Sequence, residues 1–160
     1  MRQTWTFHSA GQIVFGPGST AQLGAVARRL GIGRALVVTD ANLVRAGLAE
    51  RVRRPLVEAG VAVDVFDGGQ PEPALAIVEA CRARAASFEC DGLVALGGGS
   101  NMDLAKIAAV LLAHGGSPRD YFGEDRVPGP VLPLICVPTT AGTGSEVSSA
   151  AVLTDEEHRA

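Results

Sequence analysis

At 160 residues, with 47% apolar and 19% charged content, the chain is long enough for one domain with a good core. A net charge of −3 and an aromatic content of only 4% argue against nucleic acid as a partner. No apolar run approaches the ~20 residues needed to cross a bilayer, and the opening MRQTWTFHSAG lacks the apolar core of a secretory signal.

Strand-like runs recur at intervals suited to βα units. Residues 3–7 and 12–15 flank His8–Gly11 and read as a hairpin. Its Trp5, Phe7, Ile13 and Phe15 suggest a sheet edge that pairs with a second copy of the chain. Ser19 or Thr20 is expected to cap a helix running to Leu30, with Leu23, Val26, Ala27 and Leu30 on one face. Residues 35–39 (ALVVT) form a continuous apolar run, as in a parallel strand buried on both faces. Helical patterns fill 41–59, with breaks expected near Gly47 and at Pro55, and 61–66 is the next strand. After the loop DGGQPEP, 74–88 reads as a helix with Leu75, Val78 and Ala85 inward. A strand at 93–96, a helix at 101–114 and a Pro/Gly-rich connection at 117–130 follow. A strand at 131–137 contains Pro133, which places it near an edge or makes Pro133 its first residue. Residues 150–153 suggest one more strand. This order predicts a single α/β domain over 1–160, with a Rossmann-like, doubly wound, mainly parallel sheet and an N-terminal hairpin.

Two turns carry the chemistry. Leu93–Lys106 (LVALGGGSNMDLAK) runs from an apolar strand through three glycines into a helix. Such a turn gathers backbone N–H groups at the positive end of the helix dipole, where an anion can approach closely. Ser100 and Asp103 have the spacing of a capping box. The glycines do not make the usual dinucleotide fingerprint, because Met102 stands where its third glycine would fall. Pro138–Ser149 (PTTAGTGSEVSS) repeats the logic with hydroxyls. Thr139, Thr140 and Thr143 suit phosphate or ribose as well as turn and cap duty.

Asp40 follows a buried strand, where it can either accept hydrogen bonds from a ribose or cap the next helix. Asp103 is open to the same choice between cap and ligand hydroxyl, and Lys106 either reaches a negative ligand or lies on a solvated face. His8, His114 and His158 have no metal-binding spacing, and Asp155 with His158 is too few ligands for a site. Cys81, Cys90 and Cys136 are odd in number and lack C-x-x-C spacing, and so read as buried thiols in a reducing cytoplasm.

Together, GGGSNMDLAK and PTTAGTGSEVSS resemble the iron-containing, metal-dependent (group III) alcohol dehydrogenase family. GQIVFGPGS, ALVVTD, GGQPEP, DYFGED and LTDEE are similar to its other landmarks, so the resemblance spans nearly the whole chain. It implies an N-terminal dinucleotide-binding domain whose all-helical C-terminal partner is absent from this chain. It also implies NAD in preference to NADP, a small alcohol or aldehyde substrate, and a homodimer. By position, Gly98, Gly99 and Ser100 would bind the pyrophosphate and Asp40 the adenosine ribose. Thr139, Thr140 and Thr143 would line the adenine and ribose side, with Asp103 and Ser148 nearer the nicotinamide. The family's metal, Fe²⁺ or Zn²⁺, would be held by residues beyond this segment, which is therefore expected to supply no catalytic or metal-binding residue and to be inactive alone. Where the family usually reads P-N-P, this chain has Pro71-Glu72-Pro73, a carboxylate in place of an amide. A maleylacetate reductase, a hydroxyacid–oxoacid transhydrogenase or a non-catalytic nucleotide-binding module are the alternatives.

Overall fold

Four parallel strands, β1 (Arg34–Val38), β2 (Ala62–Phe66), β3 (Gly92–Gly97) and β4 (Leu134–Pro138), form one sheet in the order β2-β1-β3-β4. The computed structural model describes residues 11–155. The hairpin expected at 3–15 lies largely outside them, and residues 12–15 carry no strand assignment.

The central strands are apolar, apart from the exposed Arg34 that opens β1, because both of their faces are covered. Leu36, Val38, Leu93 and Ala95 pack under α4 (Leu75–Ser87) and α5 (Gly99–His114). Ala35, Val37, Val94 and Leu96 alternate to the other face, under α1 (Leu23–Arg29) and α3 (Leu48–Glu58). Period-two alternation thus feeds two separate cores, as a doubly wound sheet requires. α5 is the most enclosed helix. Met102, Leu104, Ala105, Ala108, Ala109 and Leu111 are all at most 1% exposed. Burying each of its larger side chains contributes roughly 1.5–3 kcal/mol.

Several local expectations are corrected. Neither Ser19 nor Thr20 caps a helix; a 3₁₀ turn, Ser19–Gln22, precedes α1 and starts from Gly18 in the left-handed region at φ 76°. α1 ends at Arg29, so Leu30 leaves its apolar face and is 45% exposed. Gly47 (φ 76°) separates α2 (Ala41–Arg45) from α3 as expected. Pro55 does not break α3. The ring removes one helical hydrogen bond, yet the buried stripe Ala49, Val52 and Leu56 holds the helix to Glu58. Pro133 stands just outside β4, and β4 is an edge strand among the described residues. No strand forms at 150–153; there is only an isolated bridge between Thr154 and Ala74. No helix among the described residues is long and apolar enough to cross a membrane.

Candidate functional site

The chain leaves β1 toward β2 and returns across the sheet to β3, so connections diverge between β1 and β3. A crevice at the carboxyl ends of strands opens at such a switch point. Asp40 follows β1 there, the glycine turn follows β3, and Thr139 and Thr140 follow β4.

The three glycines have different reasons. Gly97 lies at φ 145°, and a Cβ on it would overlap Asn101 Nδ2, so both backbone and space demand glycine. Gly98 has φ −85° and ψ −172°, an extended conformation open to any residue. A Cβ there would stand 3.1 Å from Thr140 Oγ1, and one on Gly99 would stand 3.3 Å from Thr143 Cβ. The absence of these side chains therefore keeps the groove between the two turns clear.

No side chain caps α5, and its first turn holds no acidic residue. This corrects the Ser100–Asp103 capping box. Ser100 Oγ instead accepts from Glu72 N at 3.4 Å, which joins the DGGQPEP loop to the turn. Glu72 itself sits at φ 47°, in a region where asparagine is more at ease. The N–H groups at the head of a 16-residue helix are thus left to solvent or an anionic ligand.

Asp103 points elsewhere. Its Oδ1 accepts from Ser145 Oγ at 2.6 Å and Lys106 Nζ at 3.2 Å, and its Oδ2 from Val152 N at 3.0 Å. Lys106 Nζ also donates to Ser145 Oγ at 2.8 Å and to the carbonyl of Ala150 at 2.7 Å. With side chains only 12% and 13% exposed, Lys106 and Asp103 form an internal staple that pins the second turn to α5. Neither sequence reading of Lys106, as ligand contact or as solvated face, anticipated this.

The second turn is otherwise open. Thr139 N donates to Gly97 O at 2.9 Å, fixing one turn against the other. The residues Thr139, Thr140, Thr143 and Ser148 are exposed. Thr143 Oγ1 accepts from Ser145 N at 3.3 Å, and Ser148 Oγ from Ala150 N at 3.0 Å.

Asp40 caps α2: its Oδ1 accepts from Asn42 N at 2.9 Å and Leu43 N at 3.1 Å. The cap and a ligand role are compatible, because among the described residues Oδ2 receives only Asn101 Nδ2, at 2.9 Å. Asn101 is the residue that sequence reasoning missed. Its signal was a polar side chain on a stretch of helix otherwise set to bury Met102, Leu104 and Ala105.

The groove fits a dinucleotide phosphate on these grounds: an uncapped helix head whose own first turn holds no acidic residue, glycines that leave the space beside Thr140 and Thr143 clear, and a carboxylate one strand away. The described residues contain no group of three or more His, Cys, Asp or Glu able to hold a metal ion, and Asp155 is paired with Arg119 at 2.9 Å.

A family model described as iron-containing alcohol dehydrogenase matches residues 10–160. The chain belongs to the iron-containing alcohol dehydrogenase family. It is 41% identical over 146 residues to the NAD-dependent methanol dehydrogenase of Bacillus methanolicus, covering 91% of this chain and 38% of that protein. The crystal structure of a 1,3-propanediol oxidoreductase matches with a TM-score of 0.93 at 34% identity, over 97% of this chain and 41% of the other. Sulfoacetaldehyde reductase from Bifidobacterium kashiwanohense, solved in complex with NAD⁺, matches with a TM-score of 0.84 at 36% identity, over 96% and 41%. The chain thus spans only about 40% of the length of these iron-containing alcohol dehydrogenase relatives, and corresponds to their N-terminal part.

Proposed function

We propose that the complete protein is an NAD-dependent dehydrogenase of small alcohols and aldehydes, with this chain as its cofactor-binding domain. The observation that carries this reading is the meeting of the uncapped head of α5 with the threonine turn at the switch point. The N–H groups of Gly98, Gly99 and Ser100 hold the pyrophosphate, and Thr139, Thr140 and Thr143 line the adenine and ribose side. Ser148 lies toward the nicotinamide, and Asp103 serves that end by fixing the turn that carries Ser148. NAD, when bound, would supply the hydride acceptor for alcohol oxidation and the hydride donor for carbonyl reduction. An Fe²⁺ or Zn²⁺ ion of the kind the family implies would take its ligands from elsewhere in the protein. The relatives' names, with methanol, 1,3-propanediol and sulfoacetaldehyde among them, support an alcohol or aldehyde substrate. Three free thiols, with Cys81 buried and pushed up to about 12, suit a reducing cytoplasm.

Asp40 takes the adenosine ribose and repels a 2′-phosphate. A charge-assisted hydrogen bond is worth about 1.5–3 kcal/mol. In the complete protein, Asp40→Gly should therefore weaken NAD about ten- to hundredfold and narrow the gap to NADP. Fluorescence titration of both cofactors checks this. Similar affinities of the unaltered protein for NAD and NADP would remove the role given to Asp40.

The same reading extends to a homodimer formed through the N-terminal region. Ile13 and Phe15 are 68% and 99% exposed, which leaves apolar surface in this region for a second copy to cover. Sedimentation should give a dimer at micromolar concentration; a monomer would overturn the assignment.

A further inference from the structure

Asn101 is 4% exposed, and its amide lies in a slot between two glycines. A Cβ on Gly69 would overlap Oδ1, and one on Gly97 would overlap Nδ2. Nδ2 donates to Asp40 Oδ2 at 2.9 Å and to Leu96 O at 3.0 Å. Both partners are acceptors, so chemistry alone sets which end of the amide faces them. The side chain thus ties the last turn of β3 to the carboxylate that follows β1, across the switch point.

That carboxylate needs the tie. The α2 cap engages only Oδ1, and the terminal torsion of an aspartate is broad. With one oxygen held, the carboxylate plane can rock about it, and Oδ2 has no fixed direction. A ribose hydroxyl is recognised by direction as much as by charge. We infer that Asn101 is a positioning residue for cofactor selection: it clamps Asp40 Oδ2 in the orientation that accepts a ribose hydroxyl, and so contributes to preference for NAD without touching the dinucleotide. Gly69 and Gly97 are glycine in part to admit this amide. The inference rests on the assignment of Asp40 to the ribose.

The test is a double-mutant cycle in the complete protein, with NAD and NADP affinities measured by fluorescence titration and folding followed by thermal melting. Asn101→Ala should weaken NAD about tenfold, leave NADP within about twofold, and so reduce the NAD-to-NADP ratio by about fivefold or more. In an Asp40→Gly background the same change should alter the ratio by less than about twofold, because there is no carboxylate left to position. A ratio of affinities does not depend on the folded fraction, so a destabilised variant still reports. Asn101→Ser, whose hydroxyl stops short of Asp40, replaces the alanine variant if that one does not fold, and the same shift is expected. If Asn101→Ala and Asn101→Ser keep the ratio while Asp40→Gly changes it, the clamp is refuted and the ribose assignment stands. An equal effect of Asn101→Ala in both backgrounds also refutes the clamp, since it marks a general structural role. If Asp40→Gly leaves the ratio unchanged, both fall together.

Discussion

Gly98→Val in the complete protein should lower NAD affinity by at least about a hundredfold and leave the fold in place. The two halves of this expectation have separate grounds. Gly98 has ordinary extended torsions, φ −85° and ψ −172°, so valine adds no backbone strain of the kind that left-handed positions impose. Its Cβ, however, would enter the groove 3.1 Å from Thr140 Oγ1, and its methyls would stand over the N–H groups at the head of α5. Losing two hydrogen bonds to a charged phosphate, at about 1.5–3 kcal/mol each, gives about 3–6 kcal/mol, which is more than a hundredfold. Titration with NAD and a thermal melt would check both halves. A folded variant that retains the affinity of the unaltered protein would mean that the pyrophosphate lies elsewhere. Gly97→Ala is the contrasting case, since at φ 145° and against Asn101 it should disturb the fold itself.

Lys106→Met should destabilise the domain by about 2–4 kcal/mol and loosen residues 139–152. Methionine keeps most of the stem's volume but removes the cation, leaving Asp103 only 13% exposed without its charged partner. Breaking a buried pair from one side costs about 3–5 kcal/mol, and the remaining solvent contact places this one at the lower end. The ammonium's bonds to Ser145 and Ala150 vanish as well, so the second turn loses its attachment. Urea unfolding gives the first number, and amide hydrogen exchange over 139–152 reports the second. A loss below about 0.5 kcal/mol, the range of an exposed pair, with unchanged exchange would show that the staple is not what holds the turn.

Much of this architecture was readable from the chain because burial on both sides leaves an unmistakable pattern. ALVV and LVAL are continuous apolar runs of strand length, as central parallel strands buried on both faces require. The glycine turn and the threonine turn were readable as tight turns at the carboxyl ends of strands, although their residue types suit turn and cap duty as well as a ligand. What escaped notice depends on partners distant in sequence. Ser100 and Asp103 have capping-box spacing, but spacing cannot reveal that Ser145 and Val152 compete for the carboxylate. Pro55 reads as a break until the stripe it interrupts is seen to be buried. Lys106 looks like a surface lysine because two of its acceptors, Ser145 and Ala150, lie about forty residues ahead. Asn101 resembles any polar residue early in a helix until Gly69 and Gly97 are seen to enclose it.

The staple between α5 and the second turn has a thermodynamic consequence for ligand capture. Each residue drawn from many conformations into one costs about 1–2 kcal/mol of backbone entropy, and a long irregular turn that froze only around its ligand would subtract that cost from affinity. Here Lys106 and Asp103 order the turn as part of folding, using groups buried under it. On the proposed cofactor role, the turn that carries the threonines therefore stands in place before the dinucleotide arrives, and the free energy of association is left to the contacts themselves.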